Sequence, residues 1–145
     1  MMKNLFSKHL SLYVCILLSA TPAAAEPNRL SPCPDSPNCV SSRSTNPSRF
    51  IEALRYTGSL TDARQKVIDL LKNSKRARLI SVEIDYIHAE FRSLIFKFVD
   101  DVEFYFSSED RIIHMRSASR TGYYDFGVNR RRLERLRATF ENSVK

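Results

Sequence analysis

Between positions 102 and 116 apolar residues recur at every second place, and this alternation constrains the fold more than any other feature of the chain. Val102, Phe104 and Phe106 share one face of an extended segment, and Ile113 and Met115 share one face of the next. Ser107-Ser108-Glu109-Asp110 supplies turn residues between them. Pairing Phe106 with Arg111 sets Phe104 against Ile113 and Val102 against Met115 on a core side. It also sets Glu103 against His114 and Asp101 against Arg116 on the outer side. An antiparallel sheet with one apolar face is the implied scaffold.

The same period begins near position 78. With Asp85-Tyr86 as a two-residue turn, Ile84 faces Ile87, Val82 faces Ala89 and Ile80 faces Phe91. Glu83 then lies opposite His88, and Ser81 opposite Glu90. A bulge near Arg92-Ser93 would keep Leu94, Phe96 and Phe98 on the apolar face, ahead of a turn at Val99-Asp100-Asp101. Two amphipathic helices flank the strands. Ser59 and Asp62 make a capping signal for the first, whose stripe is Leu60, Ala63, Val67, Leu70 and Leu71. Asn129 is the expected cap of the second, with Val128 and Leu133 as a staple and Leu133, Leu136, Phe140 and Val144 as its stripe. The fold class is α+β: a four-stranded antiparallel sheet, five with a leading strand over 50–56, and two helices on one face, in the order (β)-α-β-β-β-β-α.

The beginning of the chain has a different character. Lys3 and Lys8, an apolar run over 10–20 and Ala23-Ala24-Ala25 form the pattern of a secretory signal peptide, with cleavage expected after Ala25. The apolar run is too short for a membrane span, which takes about 20 residues. Residues 26–49 read as an extended arm rich in Pro, Ser and Asn, and 50–145 as a single α+β domain. Of 23 Lys and Arg, two fall in the leader, leaving a net charge of about +5. Such a balance in an exported, periplasmic or otherwise extracytoplasmic protein points to anionic partners: a small molecule, a lipid head group or an acidic envelope protein. Nucleic acid is not expected outside the cytoplasm, and no membrane span remains after leader removal. Cys33 and Cys39 form an even, closely spaced pair that reads as a structural disulfide; two thiolates with no histidine beside them do not make a zinc site.

Four short motifs carry a resemblance. Asp-Asp-Val-Glu-Phe at 100–104, Arg-Ser-Ala-Ser-Arg-x-Gly at 116–122 and Asp-Phe-Gly-x-Asn-Arg-x-Arg at 125–132 resemble the signature of the domain of unknown function 1499 family, and 33–42 resembles its N-terminal motif. The resemblance implies a small α+β domain in an exported or organelle-lumen setting, and implies no activity.

The chemistry legible in these motifs is chiefly cationic. Arg130, Arg131 and Arg132 occupy a first helical turn, where the helix dipole disfavours cations, and so call for a compensating anion. Arg116, Arg120, Arg130 and Arg132 with Asp125 form either a fixed Arg/Asp network that orders the loop 121–128, with Asp125 and Asp100-Asp101 as internal partners, or the candidate anion-binding cluster; Asp100, Asp101, Glu103 and His114 are the candidate structural pairs. A non-enzymatic binding module follows. The alternative is a small envelope hydrolase in which Glu103 and His114 perform acid–base work on the polar sheet face; a third is an assembly factor with an apolar surface patch. No cofactor or metal pattern is present: the His-x-His and His-x-x-x-His spacings are missing. Ser117 and Ser119 alternate away from His114 and lack a nucleophile elbow, so no catalytic triad is read, and Asp125-Phe126-Gly127 lacks the companions of a kinase motif.

Overall fold

The computed structural model describes residues 29–142. The leader, its cleavage site and Val144 lie outside the described residues. Six strands and two helices follow one another: β1 (Cys39–Ser41), β2 (Leu54–Arg55), α1 (Leu60–Lys72), β3 (Ala77–Val82), β4 (Tyr86–Arg92), β5 (Val99–Ser107), β6 (Ile112–Ser119) and α2 (Val128–Asn142). The sheet runs β1-β6-β5-β4-β3, all antiparallel, with β2 also on β6. β1 and β2 share one edge of β6, so together they make one interrupted edge strand. The arm therefore contributes a strand to the sheet; Cys39 and Val40 are buried within it.

Both helices cover one face. Val67 and Leu71 of α1 and Leu133, Leu136 and Phe140 of α2 join Ile87, Ala89, Val102, Phe104, Ile113 and Met115 in a single core. Ser59 caps α1 as its sequence implies: its hydroxyl accepts from the Asp62 amide at 3.1 Å and donates to the Asp62 carboxylate at 2.7 Å. The cap of α2 differs from expectation. Asp125 receives the amides of Gly127 (2.9 Å) and Asn129 (2.8 Å), which frees the Asn129 side chain for the interior. Asn129 is fully buried. Its amide donates to the Asn38 carbonyl and Ser119 hydroxyl, and its carbonyl accepts from Ser117 and Arg132.

The alternation assigns faces correctly on β5 and β6, but the register differs. The turn takes residues 108–111, with Arg111 in the left-handed region at φ 54°, so the strands slide by two residues. Glu103 faces Arg116 rather than His114, Asp101 faces Ala118 rather than Arg116, and His114 faces Tyr105. β3 and β4 are joined by three residues, 83–85, and a bulge between Leu79 and Ser81 shifts the pairing. Ser81 faces His88 and Arg78 faces Glu90, while Leu79 and Ala77 take the core side that Ile80 and Ile84 were expected to fill. Ile80 and Ile84 are exposed. The stretch 93–98 is a solvent loop, not an extension of β4, and Asp100 and Asp101 belong to a strand, not a turn.

Candidate functional site

The four arginines expected to form one cluster go to three places. On the face away from the helices, Arg116 pairs with Glu103, which also accepts the Tyr86 hydroxyl at 2.7 Å. Burial, then this bond to a carboxylate, pushes the Tyr86 phenol well above its ordinary value. Arg120, four residues on and just past the end of β6, bridges two acids: Asp101 at 2.8 and 2.7 Å and Glu90 at 2.7 Å. These bonds raise the Arg120 pKa further. Burial alone would raise the Asp101 carboxyl, but hydrogen bonds from Arg120 and from His88 (2.6 Å) overcome it and hold it below the usual range. Glu90 is likewise held down, first by Arg78 at 2.9 Å and then by Arg120.

Arg132 takes the opposite face. It is buried under α2, reaches Asp100 at 2.5 Å, Asn129 at 2.6 Å and Ser117 at 3.0 Å, and stacks over the Phe91 ring at 4.8 Å. Burial lowers its pKa, and Asp100 opposes that shift. Arg130 spends its guanidinium on the Ser48 carbonyl at 2.9 Å, and Asp125 serves backbone amides rather than arginines.

The hydrolytic pair is not assembled. Glu103 is buried in its ion pair, while His114 stacks on Tyr105 with ring centroids 6.3 Å apart and meets the Ser42 hydroxyl at 3.3 Å. Burial, with the nearby Arg43 charge, lowers the His114 pKa. The arm also crosses this face. Arg29 ion-pairs with Glu83 (2.5 Å) and Asp85 and lies 4.9 Å over the Tyr86 ring, at β4; Cys33 is bonded to Cys39 at the far edge, beside β6. The residues between must pass over β5, where Tyr105 points away from the main core yet is wholly buried, as is Leu30 of the arm. The polar face is thus roofed over β5 and its carboxylates are paired, while Arg120 stays 45% exposed and the buried Arg116 Nε has no hydrogen-bond partner among the described residues.

Open concave space lies elsewhere. A cleft of about 550 Å3 sits between α2, the end of α1 and the start of the β4–β5 loop. Phe91, Leu70 and Leu136 supply apolar walls, and Lys75, Arg76, Arg92, Arg132 and Arg135 surround them. Among the described residues Asp100 is the sole acid in the lining, and Arg132 already neutralises it. Lys75, Arg76 and Arg135 are exposed and form no ion pair among the described residues. Of the predicted residues only Arg132 and Asp100 border this cleft. Arg135 has a legible signal, its i,i+3 relation to Arg132 on the same helix face. Lys75 and Arg76 follow the α1 cap, and only the tertiary fold brings them across to α2. Among the described residues no three His, Cys, Asp or Glu side chains group as a metal site, and no helix is long and apolar enough to cross a membrane.

The family described as "Protein of unknown function (DUF1499)" matches residues 29–140. No curated protein matches the chain.

Proposed function

The chain belongs to the DUF1499 family, and on that premise we propose that it is a non-enzymatic binding module of the cell envelope, holding an anionic amphiphile in the cleft between α1 and α2. One observation carries this reading: a cleft with apolar walls is ringed by five cations, and its one carboxylate is already paired. An apolar wall favours a hydrocarbon portion through burial, and guanidinium groups favour a carboxylate or phosphate head. The leader pattern of the sequence and the Cys33–Cys39 disulfide support an envelope location.

Dodecyl phosphate is a suitable probe, and titration calorimetry the measurement. The wild type is expected to bind it, with Arg76→Glu/Arg135→Glu weakening binding by about tenfold or more, since a charge-assisted hydrogen bond contributes about 1.5–3 kcal/mol. Both side chains are exposed, so the fold should survive the change. Wild-type protein that ignores the probe, or a double variant that binds it equally well, would remove the cleft as the site.

A further inference from the structure

Two loops leave the sheet at the same end. Arg92 pairs with Val99 at the base of loop 93–98, and the Arg120 amide donates to the Val99 carbonyl at 3.0 Å where segment 120–127 departs. Among the described residues, eight of the twelve large apolar side chains that are exposed lie within 94–98 and 123–128. Ile95 is 79% exposed and Phe126 77%. Their aromatic rings contact one another instead of the core: Phe96 stacks on Phe98 at 5.5 Å, and Tyr124 meets Phe126 edge-on at 5.0 Å. Phe126 also sits at φ 53°, a left-handed conformation that is costly for a bulky side chain. Apolar groups displayed on strained backbone at one end of a small domain form a contact surface, not a scattered background.

The unpaired charges around these loops have one sign, since the acids at their base, Glu90, Asp100 and Asp101, are held in ion pairs by Arg78, Arg92, Arg120 and Arg132. Lys97 lies within the first loop, Arg92 at its base, and Arg76 beside it through the Arg92 amide at 3.2 Å. Arg131 follows the second loop. Residues 92–99 contain no acid, and in 120–128 the one acid, Asp125, has both carboxylate oxygens bound by backbone amides. We propose that this end of the sheet docks on an anionic phospholipid surface, with Ile95, Phe96 and Phe126 entering the interface while Lys97, Arg92 and Arg131 meet phosphate groups. Aromatic rings favour the head-group boundary, and basic side chains next to it gain from the surface potential. A second copy of this chain is a poorer occupant, because a twofold contact would bring the same cationic rim against itself. The docking does not depend on the cleft being occupied.

The test is co-sedimentation of the full chain, purified as a bacterial host leaves it, with vesicles of equal parts phosphatidylcholine and phosphatidylglycerol. Any contribution of residues 1–28 is common to all variants. Wild type should bind at least tenfold better than to phosphatidylcholine alone, and salt should release it. Ile95→Asp/Phe96→Asp should lose at least tenfold. Ile84→Asp, equally exposed at the opposite end in the β3–β4 turn, should not. Because the chain has no Trp, Phe96→Trp is a lone reporter, whose emission should shift to the blue with anionic vesicles. Wild type that binds neither vesicle, equal binding by the double variant, loss in Ile84→Asp, or an unshifted Trp would each overturn the proposal. So would self-association that Ile95→Asp/Phe96→Asp abolishes in the absence of lipid binding.

Discussion

Arg132 of α2 closes on Asp100 of β5 at 2.5 Å beneath the helix layer, while the adjacent Asp101 turns to the other face and is held by Arg120. Consecutive residues of a strand point to opposite faces. Two neighbouring carboxylates thereby anchor two separate arginines, one tying a helix to the sheet and one spanning strands β4 to β6.

The buried pair should be the more costly to break. Arg132→Met leaves Asp100 buried without its cation and strips a partner from Asn129 and Ser117. Destabilisation of about 3–5 kcal/mol is expected by denaturant titration. Asp100→Leu combined with Arg132→Met should be substantially less damaging than the sum of the two single changes, since the isolated charge is then gone. Additivity would show that the pair is not coupled.

Arg120 offers the contrasting case. Its side chain is 45% exposed, so water screens both of its ion pairs. Arg120→Leu should cost only about 1 kcal/mol despite three short hydrogen bonds. The same change should raise the pKa of Asp101 and of Glu90, measurable by carboxyl carbon shifts in an NMR pH titration. Unmoved carboxyls would mean that His88 and Arg78 suffice to hold them down.

Which residues face the core was legible in sequence; which residues pair was not. A slide of two residues leaves every side chain on its own face, so the alternation of β5 and β6 is equally content with Glu103 opposite His114 or opposite Arg116. The turn decides, and Arg111 in a left-handed conformation gives no sequence signal as Gly or Asn would. Residues 94–98 read as a core strand because hydrophobicity alone does not separate a buried run from a displayed one. Asn129 reads as a cap, yet Asp125 fits the same motif and the tertiary partners Asn38 and Ser117 claim Asn129. The cleft was least legible, since its cations come from a turn, a strand end and a helix that only the completed fold brings together.

Stability should fall towards both extremes of pH, in separable steps. The folded state keeps His114 neutral, so the unfolded chain takes up its proton first, and stability begins to decline as pH drops below about 6.5. Glu90 and Asp101 are depressed in the folded state, and their contribution is present above about 4.5 and lost as pH falls through their folded values. Tyr86 is raised, so its contribution holds below about 10 and is lost at higher pH, where the unfolded chain ionises first. Denaturation midpoints measured across pH should show the upper acid step vanish in His114→Gln while the lower one remains. A retained upper step would assign it to another group.

Phe126 links strain to the displayed surface. Asn tolerates the left-handed conformation that Phe resists, and Phe126 is exposed, so Phe126→Asn should raise stability by up to about 1 kcal/mol. Vesicle binding should fall with the same change, a trade of stability against function. A variant neither more stable nor weaker in binding would mean that the ring is incidental to the surface.

The roof over the polar face depends on a short covalent loop. Arg29 contributes little at its exposed ion pairs, so the burial of Leu30 and the bond between Cys33 and Cys39 are left to hold residues 29–33 across β5. Cys33→Ser should cost about 2 kcal/mol, the low end for a disulfide because so small a loop restricts the unfolded chain only modestly. The loss should be local at first. Hydrogen exchange at 33–38 should accelerate, while the amides of β5, locked on both sides by β4 and β6, keep their protection. With the roof loosened, Glu103 and Tyr105 meet water, and the Tyr86 phenol should titrate closer to its ordinary value because burial is the first cause of its shift. If exchange in the arm stays slow in Cys33→Ser, the packing of Leu30 alone holds the roof and the disulfide is dispensable to it.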